Sequence, residues 1–320
     1  MKNPKLTEIL TSHQKIVILP HEMPDGDCIG SALALSAGLE QKGIQSTVVV
    51  KQPISEMYSF LTGSEKALLP DSLDTKVDAI VFVDCSDTER PGFNIYNLCP
   101  NIKTIINIDH HVSNEYFGQY NYVDFKAAAT GEIIYHLLKD INVSITADIA
   151  TGIYTALVTD SGSFQYENTT PTTLRLAAIL LELGAKTDLV RKYIWENKSL
   201  QHLEVLRVAL NSLTLTAKNK IAYIYINQDC MDKLGVSTNE YFDGLINYPK
   251  SIGSVEIALF FKEIETNVIK VSMRSKNYVD VNQLAGQFGG GGHIRAAGCT
   301  LLCSMNEAIK KVINITEKLI

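Results

Sequence analysis

The sequence predicts an α/β protein in which a parallel-sheet domain is joined by a helix to a smaller α/β domain. In the first half of the chain, short apolar runs alternate with helical patterns, which is typical of a parallel sheet covered on both faces. A long charged stretch without glycine or proline follows, and strand-like runs then return. The length of 320 residues also favours two domains. We place them at residues 1–186 and 216–320, with a connecting helix over 187–215.

The predicted strands of the first domain are short apolar runs, and its predicted helices carry apolar residues at helical spacing. In the helix over 29–43, Ile29, Leu33 and Ala37 lie on one face and Gly43 suits the end of the helix. The other elements are strands at KIVILP (15–20), STVVV (46–50), VDAIVFVD (77–84) and TIINID (104–109), and helices at 129–141, 146–160 and 170–184.

The second domain is predicted from three further strand-like runs followed by two helical patterns. The runs are IAYIYIN (221–227), SVEIALFFKEI (254–264) and VIKVSMRSK (268–276). The segment EIETNV between the last two suits a hairpin. Helices are predicted at 281–288 and 305–320.

The chain is acidic, with a formal net charge of -6 and a pI of about 5.7. A protein that binds long nucleic acids usually presents a basic face, so this charge argues against a long duplex as partner. It permits a small anion held by a few cations or by metal ions. The six cysteines contain no CxxC pair, the chain begins without an apolar signal region, and its apolar runs are too short to span a membrane. We therefore expect a reduced, cytoplasmic protein without a membrane partner.

Acids and histidines follow the ends of three predicted strands and one predicted helix. Because the carboxyl ends of parallel strands lie at one edge of a sheet, we expect these side chains to face one another. They are His21, Asp25 and Asp27 after the first strand, Asp84 after the third, Asp109, His110 and His111 after the fourth, and Asp160 at the helix end.

A cluster of this kind is predicted to bind divalent metal ions. Carboxylates gathered without cations repel one another and are driven toward protonation. Four aspartates and two histidines are the ligands expected for an octahedral ion such as Mn²⁺ or Mg²⁺. Six side chains are too many for one ion that keeps open positions, and they suit two ions roughly 3.5–4 Å apart that share a carboxylate.

Each of these features also has a simpler interpretation. Asp27 or Asp84 alone is most simply a turn or capping residue, and Asp160 alone is a helix-end turn. His110 and His111 alone would suit a solvated loop. The occurrence of PDGD, FVDCSD, DHH and TDSGSF in one chain is hard to explain as independent caps, and it favours a single site.

A glycine-rich segment, FGGGGHIRAAG (288–298), is the second candidate for chemistry. Four consecutive glycines are costly in backbone entropy, and alone they suit a flexible loop. They also let backbone N–H groups approach and surround an anion. His293 and Arg295 follow directly, and Arg274 ends a predicted strand where it can make a bidentate phosphate contact.

These motifs resemble the DHH phosphoesterase family with a DHHA1-type C-terminal domain. PDGD with an upstream histidine, the DHH triplet and GGGGH-x-RAAG form the signature, and the resemblance spans nearly the whole chain. The pair of domains looks most like the nanoRNase (oligoribonuclease)/pAp-phosphatase subgroup. The resemblance implies a DHH domain over 1–186 and a DHHA1 domain over 216–320.

The resemblance also implies a role for each matching residue. One Mn²⁺ would be held by His21 and Asp25, the other by Asp27, His110 and Asp160, and Asp84 would bridge the two. His111 would contact the scissile phosphate, and Asp109 would orient the histidines. In the second domain the residues that would hold the substrate's other phosphate are Arg274, Gly289, Gly290, Gly291, Gly292, His293 and Arg295.

The implied activity is hydrolysis of short oligoribonucleotides, of pApA or of pAp in a cleft between the two domains. An inorganic pyrophosphatase of the same superfamily would carry a Ser-Arg-Lys-Lys-type motif, which this sequence lacks. A RecJ-type single-strand exonuclease should have additional chain for DNA binding. A non-catalytic nucleotide-binding module should have lost a metal ligand. The order of preference among the substrates, the physiological metal and a homodimeric state are left open.

Overall fold

The computed structural model describes residues 4–74, 76–236, 239–242 and 244–320. The chain forms two compact units with a boundary between Asn197 and Lys198. Both units are α/β, as predicted. Within the described residues, no helix combines the length and the hydropathy that a membrane crossing requires.

The first unit contains a five-stranded sheet in the order β2-β1-β3-β4-β5, and every neighbouring pair is parallel. Four of its strands fall where the apolar runs predict them, and the edge strand β5 was not predicted. The central strands are buried on both faces, which explains why their sequences are largely apolar without an alternation of polar residues. The strands are β1 Lys15–Leu19, β2 Gln45–Val48, β3 Ala79–Val83, β4 Thr104–Asp109 and β5 Tyr120–Val123.

Seven α-helices belong to the described part of this unit. They are α1 Pro4–Ser12, α2 Gly26–Gln41, α3 Ile95–Leu98, α4 Thr130–Asp140, α5 Ala147–Asp160, α6 Pro171–Glu182 and α7 Thr187–Val190. Helices α2 and α5 touch backbone to backbone, because a Cβ atom added at Gly30 would lie 2.4 Å from the carbonyl oxygen of Gly152. At Gly26 an added Cβ would lie 2.5 Å from the side chain of Thr159. This close packing brings the start of α2 beside the end of α5.

The single connecting helix predicted over 187–215 is not what the structure forms. After α7 the chain makes one π-helical turn, Arg191–Trp195, and a separate helix α8 covers Leu200–Asn211. The Ser199 hydroxyl accepts a hydrogen bond from the His202 N–H and starts α8. Serine favours this capping position, so a serine within a charged stretch was the available signal for a break.

The second unit contains a mixed six-stranded sheet in the order β10-β11-β9-β8-β7-β6. Strands β8 and β9 form the predicted hairpin, and only β7 and β8 pair in parallel. The strands are β6 Thr214–Thr216, β7 Ile221–Ile226, β8 Ile257–Glu265, β9 Val268–Ser275, β10 Gly291–His293 and β11 Ala296–Leu302. The helices are α8, α9 Gln228–Leu234, α10 Asn247–Ser251, α11 Val281–Gly286 and α12 Met305–Thr316.

Candidate active site

The acids and histidines of the first unit meet at one edge of its sheet. Strands β1, β3 and β4 are neighbours, and their carboxyl ends lead into His21, Asp84 and the segment 109–111. Asp25 caps the start of α2, where its Oδ1 accepts a hydrogen bond from the Cys28 N–H at 3.0 Å. Asp160 is the last residue of α5, the helix that packs against α2.

Asp27 is buried in the first turn of α2 and is held from three directions. Its Oδ2 accepts a hydrogen bond from the Thr130 N–H at 2.7 Å, and its Oδ1 accepts from the Gly131 N–H at 3.0 Å. The Ser31 hydroxyl donates to the same Oδ1 at 2.9 Å. The carboxylate therefore lies at the N-terminus of α4, where the helix dipole favours negative charge.

The two oxygens of Asp84 face two different histidines. Asp84 Oδ2 lies 3.7 Å from His21 Nε2, and Asp84 Oδ1 lies 3.7 Å from His110 Nε2. The Thr130 hydroxyl donates to Oδ1 at 2.8 Å and fixes the carboxylate plane. The Asp84 backbone has a φ of 61°, a left-handed conformation that aspartate adopts more readily than most residues.

His110 presents a ring nitrogen to three carboxylates. Its Nδ1 lies 3.2 Å from the Ala127 carbonyl oxygen, which can only accept, so Nδ1 carries the proton and Nε2 is left as a lone-pair donor. Nε2 is 3.6 Å from Asp27 Oδ2, 3.7 Å from Asp84 Oδ1 and 3.6 Å from Asp160 Oδ2. On the other side of Asp84, His21 Nε2 lies 3.9 Å from Asp25 Oδ1.

Burial of so many acids shifts their titration. Burial, followed by the charge of Asp84, raises the pKa of Asp27 well above its usual range. Burial likewise raises the pKa values of Asp84 and Asp160, with Asp25 adding to both. Burial lowers the pKa of His21. The cluster therefore lacks the positive charge that would stabilise its ionised carboxylates.

The donor set fits divalent metal ions. The oxygen–nitrogen separations of 3.6–3.9 Å are too long for hydrogen bonds. Two atoms bound to one ion at about 2.1 Å can be no more than about 4.2 Å apart, so every one of these pairs is compatible with a shared ion. Asp27, His110 and Asp160 form one such group, and His21 with Asp84 belongs to another.

Cys28 also lies within metal-binding distance of His21 and Asp84. Its Sγ is already engaged, accepting from the His21 N–H at 3.2 Å and donating to the Val83 carbonyl oxygen at 3.6 Å. Burial raises the pKa of this thiol well above its usual range, so forming the metal-binding thiolate is unfavourable at this position. Since metals bind the thiolate, Cys28 contributes packing to this site.

His111 is oriented by a buried chain of polar side chains. Its Nδ1 lies 2.7 Å from Asp109 Oδ1, and this hydrogen bond raises the pKa of His111 to about 9. Asn114 Nδ2 donates to Asp109 Oδ2 at 2.6 Å and to Asn107 Oδ1 at 2.8 Å. The pairing of Nδ1 with Asp109 leaves Nε2 as the ring nitrogen that can meet a substrate.

Sequence reasoning missed three residues that shape this site. Thr130 contacts both Asp27 and Asp84, and Asn114 fixes Asp109. Asn168 Nδ2 donates to the carbonyl oxygen of Asp160 at 3.1 Å and lies 3.4 Å from its Oδ2. None of the three follows a strand end directly, and no spacing rule marks them.

In the second unit, Arg274 lies among other cations. It is half-buried near the end of β9, where its Nη1 donates to the Met273 carbonyl oxygen at 3.0 Å. Lys250, on α10, is close enough that burial and the charges of Arg274 and Lys276 together lower its pKa. Sequence reasoning identified Arg274 but missed Lys250, which is distant in the chain.

The structural constraints that favour glycine differ among positions 289–292. Gly289 and Gly292 have φ values of 72° and 150°, in the region that favours glycine. A Cβ atom at Gly290 would lie 2.1 Å from the Gly298 carbonyl oxygen, so β11 passes too close for a side chain. Gly291 is under no such constraint, since its nearest neighbour would be Asn282 Oδ1 at 3.6 Å.

The residues after the glycines differ in their surroundings. His293 is exposed at the end of β10 and pairs with Ala296 across the hairpin. Arg295 Nη1 donates to the Val279 carbonyl oxygen at 2.8 Å, and its Nη2 donates to that of Asn277. This guanidinium therefore fastens the loop that follows β9, which gives Arg295 a structural contact that the sequence did not suggest.

Comparison with known proteins extends these observations. Residues 15–157 match the DHH family, N-terminal domain, and residues 218–318 match the DHHA1 domain. The bifunctional oligoribonuclease and PAP phosphatase NrnA of Thermus thermophilus is 32% identical over 306 residues, which cover 95% of this chain and 89% of that protein. The protein of the same name from Bacillus subtilis is 27% identical over 301 residues, 93% of this chain and 92% of that one.

Solved structures show the same architecture. An exopolyphosphatase-related protein from Bacteroides fragilis superposes with a TM-score of 0.90 at 26% identity, covering 98% of this chain and 94% of that chain. RecJ of Thermus thermophilus, in complex with Mn²⁺, superposes with a TM-score of 0.55 at 14% identity and is covered over 54% of its length. At that identity the RecJ comparison shows a likeness of fold alone.

Proposed function

Because this chain belongs to the DHH phosphoesterase family, we propose that it hydrolyses short oligoribonucleotides to mononucleotides and pAp to AMP. Membership makes it a metal-dependent hydrolase of phosphoric ester bonds. The substrate class is supported by similarity over nearly the full chain to proteins named oligoribonuclease and PAP phosphatase. The linear dinucleotide pApA, in which two phosphates lie one nucleotide apart, is the first substrate to test.

The geometry of Asp84 is the observation that carries this proposal. A buried carboxylate whose two oxygens each lie 3.7 Å from a different histidine is suited to two ions rather than one. His21 and Asp25 would hold one ion, Asp27, His110 and Asp160 would hold the other, and Asp84 would be shared. We propose Mn²⁺ for both ions, with Mg²⁺ as the alternative for oxygen-rich ligands. When bound, such ions lower the pKa of coordinated water and neutralise charge on phosphoryl oxygens.

The other residues of the chain would bind and orient the substrate. His111 would contact the scissile phosphate through Nε2, since Nδ1 is held by Asp109. In the second unit, Arg274 would bind a further phosphate, helped by the charge of nearby Lys250 and Lys276. The backbone of Gly289, Gly290, Gly291 and Gly292, with His293, would complete that phosphate site. Arg295 would act there chiefly by holding the adjacent loop.

Chromatographic product analysis tests the proposal. Metal-stripped protein is re-supplied with Mn²⁺ or Mg²⁺ and incubated with pApA, pAp, a five-nucleotide RNA, cyclic di-AMP and pyrophosphate. We expect AMP from pApA and pAp, and no product without metal. Hydrolysis of pyrophosphate alone would contradict the proposal and indicate a pyrophosphatase.

The matched variant for this experiment is Asp84→Asn. Asparagine tolerates the left-handed backbone of this position, so the fold should persist. Loss of the shared charge should reduce kcat by about three orders of magnitude on every substrate. This is the upper end of the effect seen when one preorganised group that stabilises charge is removed. Asp87→Asn, three residues further along the chain, is the control and should keep native activity. Substantial turnover by Asp84→Asn would contradict the bridging role.

A further inference from the structure

The loop that follows Asp160 has an unusual backbone. Gly162, Ser163 and Phe164 have consecutive φ values of 57°, 58° and 64°. Two of these are not glycine, and a left-handed conformation is unfavourable for such residues. A loop of this kind persists only where the surroundings hold it firmly.

Hydrogen bonds to Ser161 stabilise the backbone conformation of this loop. It is buried, and its carbonyl oxygen accepts hydrogen bonds from the N–H groups of Gln165 and Tyr166, both at 3.0 Å. Its hydroxyl accepts a third hydrogen bond, from the Phe164 N–H, at 3.0 Å. The Phe164 ring packs edge-on against Tyr154, with centroids 6.3 Å apart. The positions of residues 161–166 are therefore fixed relative to Asp160.

The loop presents the ring of Tyr166. A Cβ atom added at Gly162 would lie 2.4–2.6 Å from three atoms at the hydroxyl end of this ring, so the ring rests on the Gly162 backbone. Tyr166 is nevertheless 56% exposed. One side of the ring is supported by the protein and another is open to solvent. A tyrosine ring that rests on backbone on one side and is exposed on another is available to stack against a base.

We propose that Tyr166 stacks against the nucleobase of the nucleotide whose phosphate lies at the Asp160 end of the site. The inference rests on the proposed function and adds the contact that recognises a base. The loop is tied to the ligand set at both ends, since Asp160 precedes it and Asn168 Nδ2 lies 3.4 Å from Asp160 Oδ2. Stacking accepts every base, and it requires no positive charge, which suits an acidic chain.

A binding measurement with a fluorescent nucleotide tests the contact without turnover. The probe is 2-aminopurine riboside 5′-monophosphate, an analogue of the product AMP whose emission falls when its base stacks. In the presence of Mg²⁺, the probe is titrated into the native protein, Tyr166→Ala, Tyr166→Phe and the control Tyr96→Ala. The control removes another exposed tyrosine of the same unit. Stacking on an aromatic ring stabilises a bound base, so we expect Tyr166→Ala to lose the quenching and to raise the Kd measured by calorimetry by about tenfold. Tyr166→Phe keeps the ring and should behave as the native protein, as should Tyr96→Ala.

Calorimetric titration with ribose 5-phosphate separates a base contact from damage to the phosphate site. This ligand has no base, so native protein and Tyr166→Ala should bind it equally. Equal weakening of both ligands in Tyr166→Ala, or unchanged quenching, would overturn the proposal. If the proposed function is wrong, native protein will release no AMP from pApA and pAp. The difference in probe fluorescence between native protein and Tyr166→Ala does not depend on that release.

Discussion

At the scale of the residue, Asp84 shows how the fold supplies the geometry of the site. The Asp84 N–H donates to the Ile108 carbonyl oxygen at 2.9 Å, which continues the pairing of β3 with β4 by one residue. The chain then turns through the left-handed region and aims the carboxylate between two histidines. A residue that tolerates this conformation and carries a bidentate carboxylate is required, and aspartate meets both demands.

Asn114 is predicted to act on catalysis through Asp109 and His111. Removing its amide in Asn114→Ala leaves Asp109 Oδ2 and Asn107 Oδ1 without this donor, so His111 loses its fixed orientation. Losses from such supporting contacts are about 10–100-fold, and we expect kcat for pApA to fall in that range. Asn114 touches none of the six proposed metal ligands, so Mn²⁺ affinity measured by calorimetry should be kept. Asn97→Ala, at an exposed position of α3, is the control, and unchanged kcat in Asn114→Ala would refute the positioning role.

The residues that the sequence predicted and those that it missed differ in a physical way. His21, Asp84 and His110 follow strand ends, and a parallel sheet places strand ends together, so their meeting was predictable. Thr130 and Asn168 reach the site because α4 and the loop after α5 fold back onto it. That return depends on the packing of α2 against α5, which no local pattern encodes. Tyr166 was missed for the same reason.

At the scale of the element, substitutions in the hairpin of β10 and β11 can distinguish a structural role of its glycines from a role in binding phosphate. Gly290→Ala would place a Cβ 2.1 Å from the Gly298 carbonyl oxygen, and overpacking of this kind costs roughly 1–3 kcal/mol, so we expect a lower Tm. Gly291→Ala meets no neighbour closer than 3.6 Å and should change stability by no more than about 0.5 kcal/mol. If the Gly291 backbone contacts a phosphate, this second variant should raise KM for pAp at an unchanged Tm. Native KM in Gly291→Ala would show that the glycines serve only the hairpin.

Elements with a clear period were predictable, and those stabilised by distant contacts were not. The strands β1, β3 and β4 are rich in apolar residues because both faces of the sheet are covered. Edge strand β5, with the sequence YNYV, is only half-buried and lacks that signal. Strand β10 consists of two glycines and His293, and it exists because β11 passes beside it. Its strand conformation comes from pairing rather than from propensity.

At the scale of the whole molecule, the acidic charge and a phosphate-bearing substrate are compatible. The net charge of -6 is accompanied by a local group of cations, Lys250, Arg274 and Lys276, in the second unit. Metal ions at the ligand set would add positive charge in the first unit. Binding as proposed would then depend on two local sites and not on a basic face, and we expect this to favour short nucleotides over long nucleic acids.

Arg274→Ala tests whether the second unit binds a further phosphate of the substrate while the first unit holds the metal ligands. The change removes a cation of the second unit and leaves the ligand set of the first unit intact, so Mn²⁺ affinity should not change. Hydrogen bonds between charged groups contribute about 1.5–3 kcal/mol, and we therefore expect kcat/KM for pApA and pAp to fall by roughly ten- to a hundredfold. Bis-para-nitrophenyl phosphate carries a single phosphate, so its hydrolysis should fall much less. Lys270→Ala, on the same strand, is the control. Equal losses on all three substrates would mean that Arg274 supports the fold or the chemistry in general, and the assignment of a second phosphate to the DHHA1 domain would then have to be abandoned.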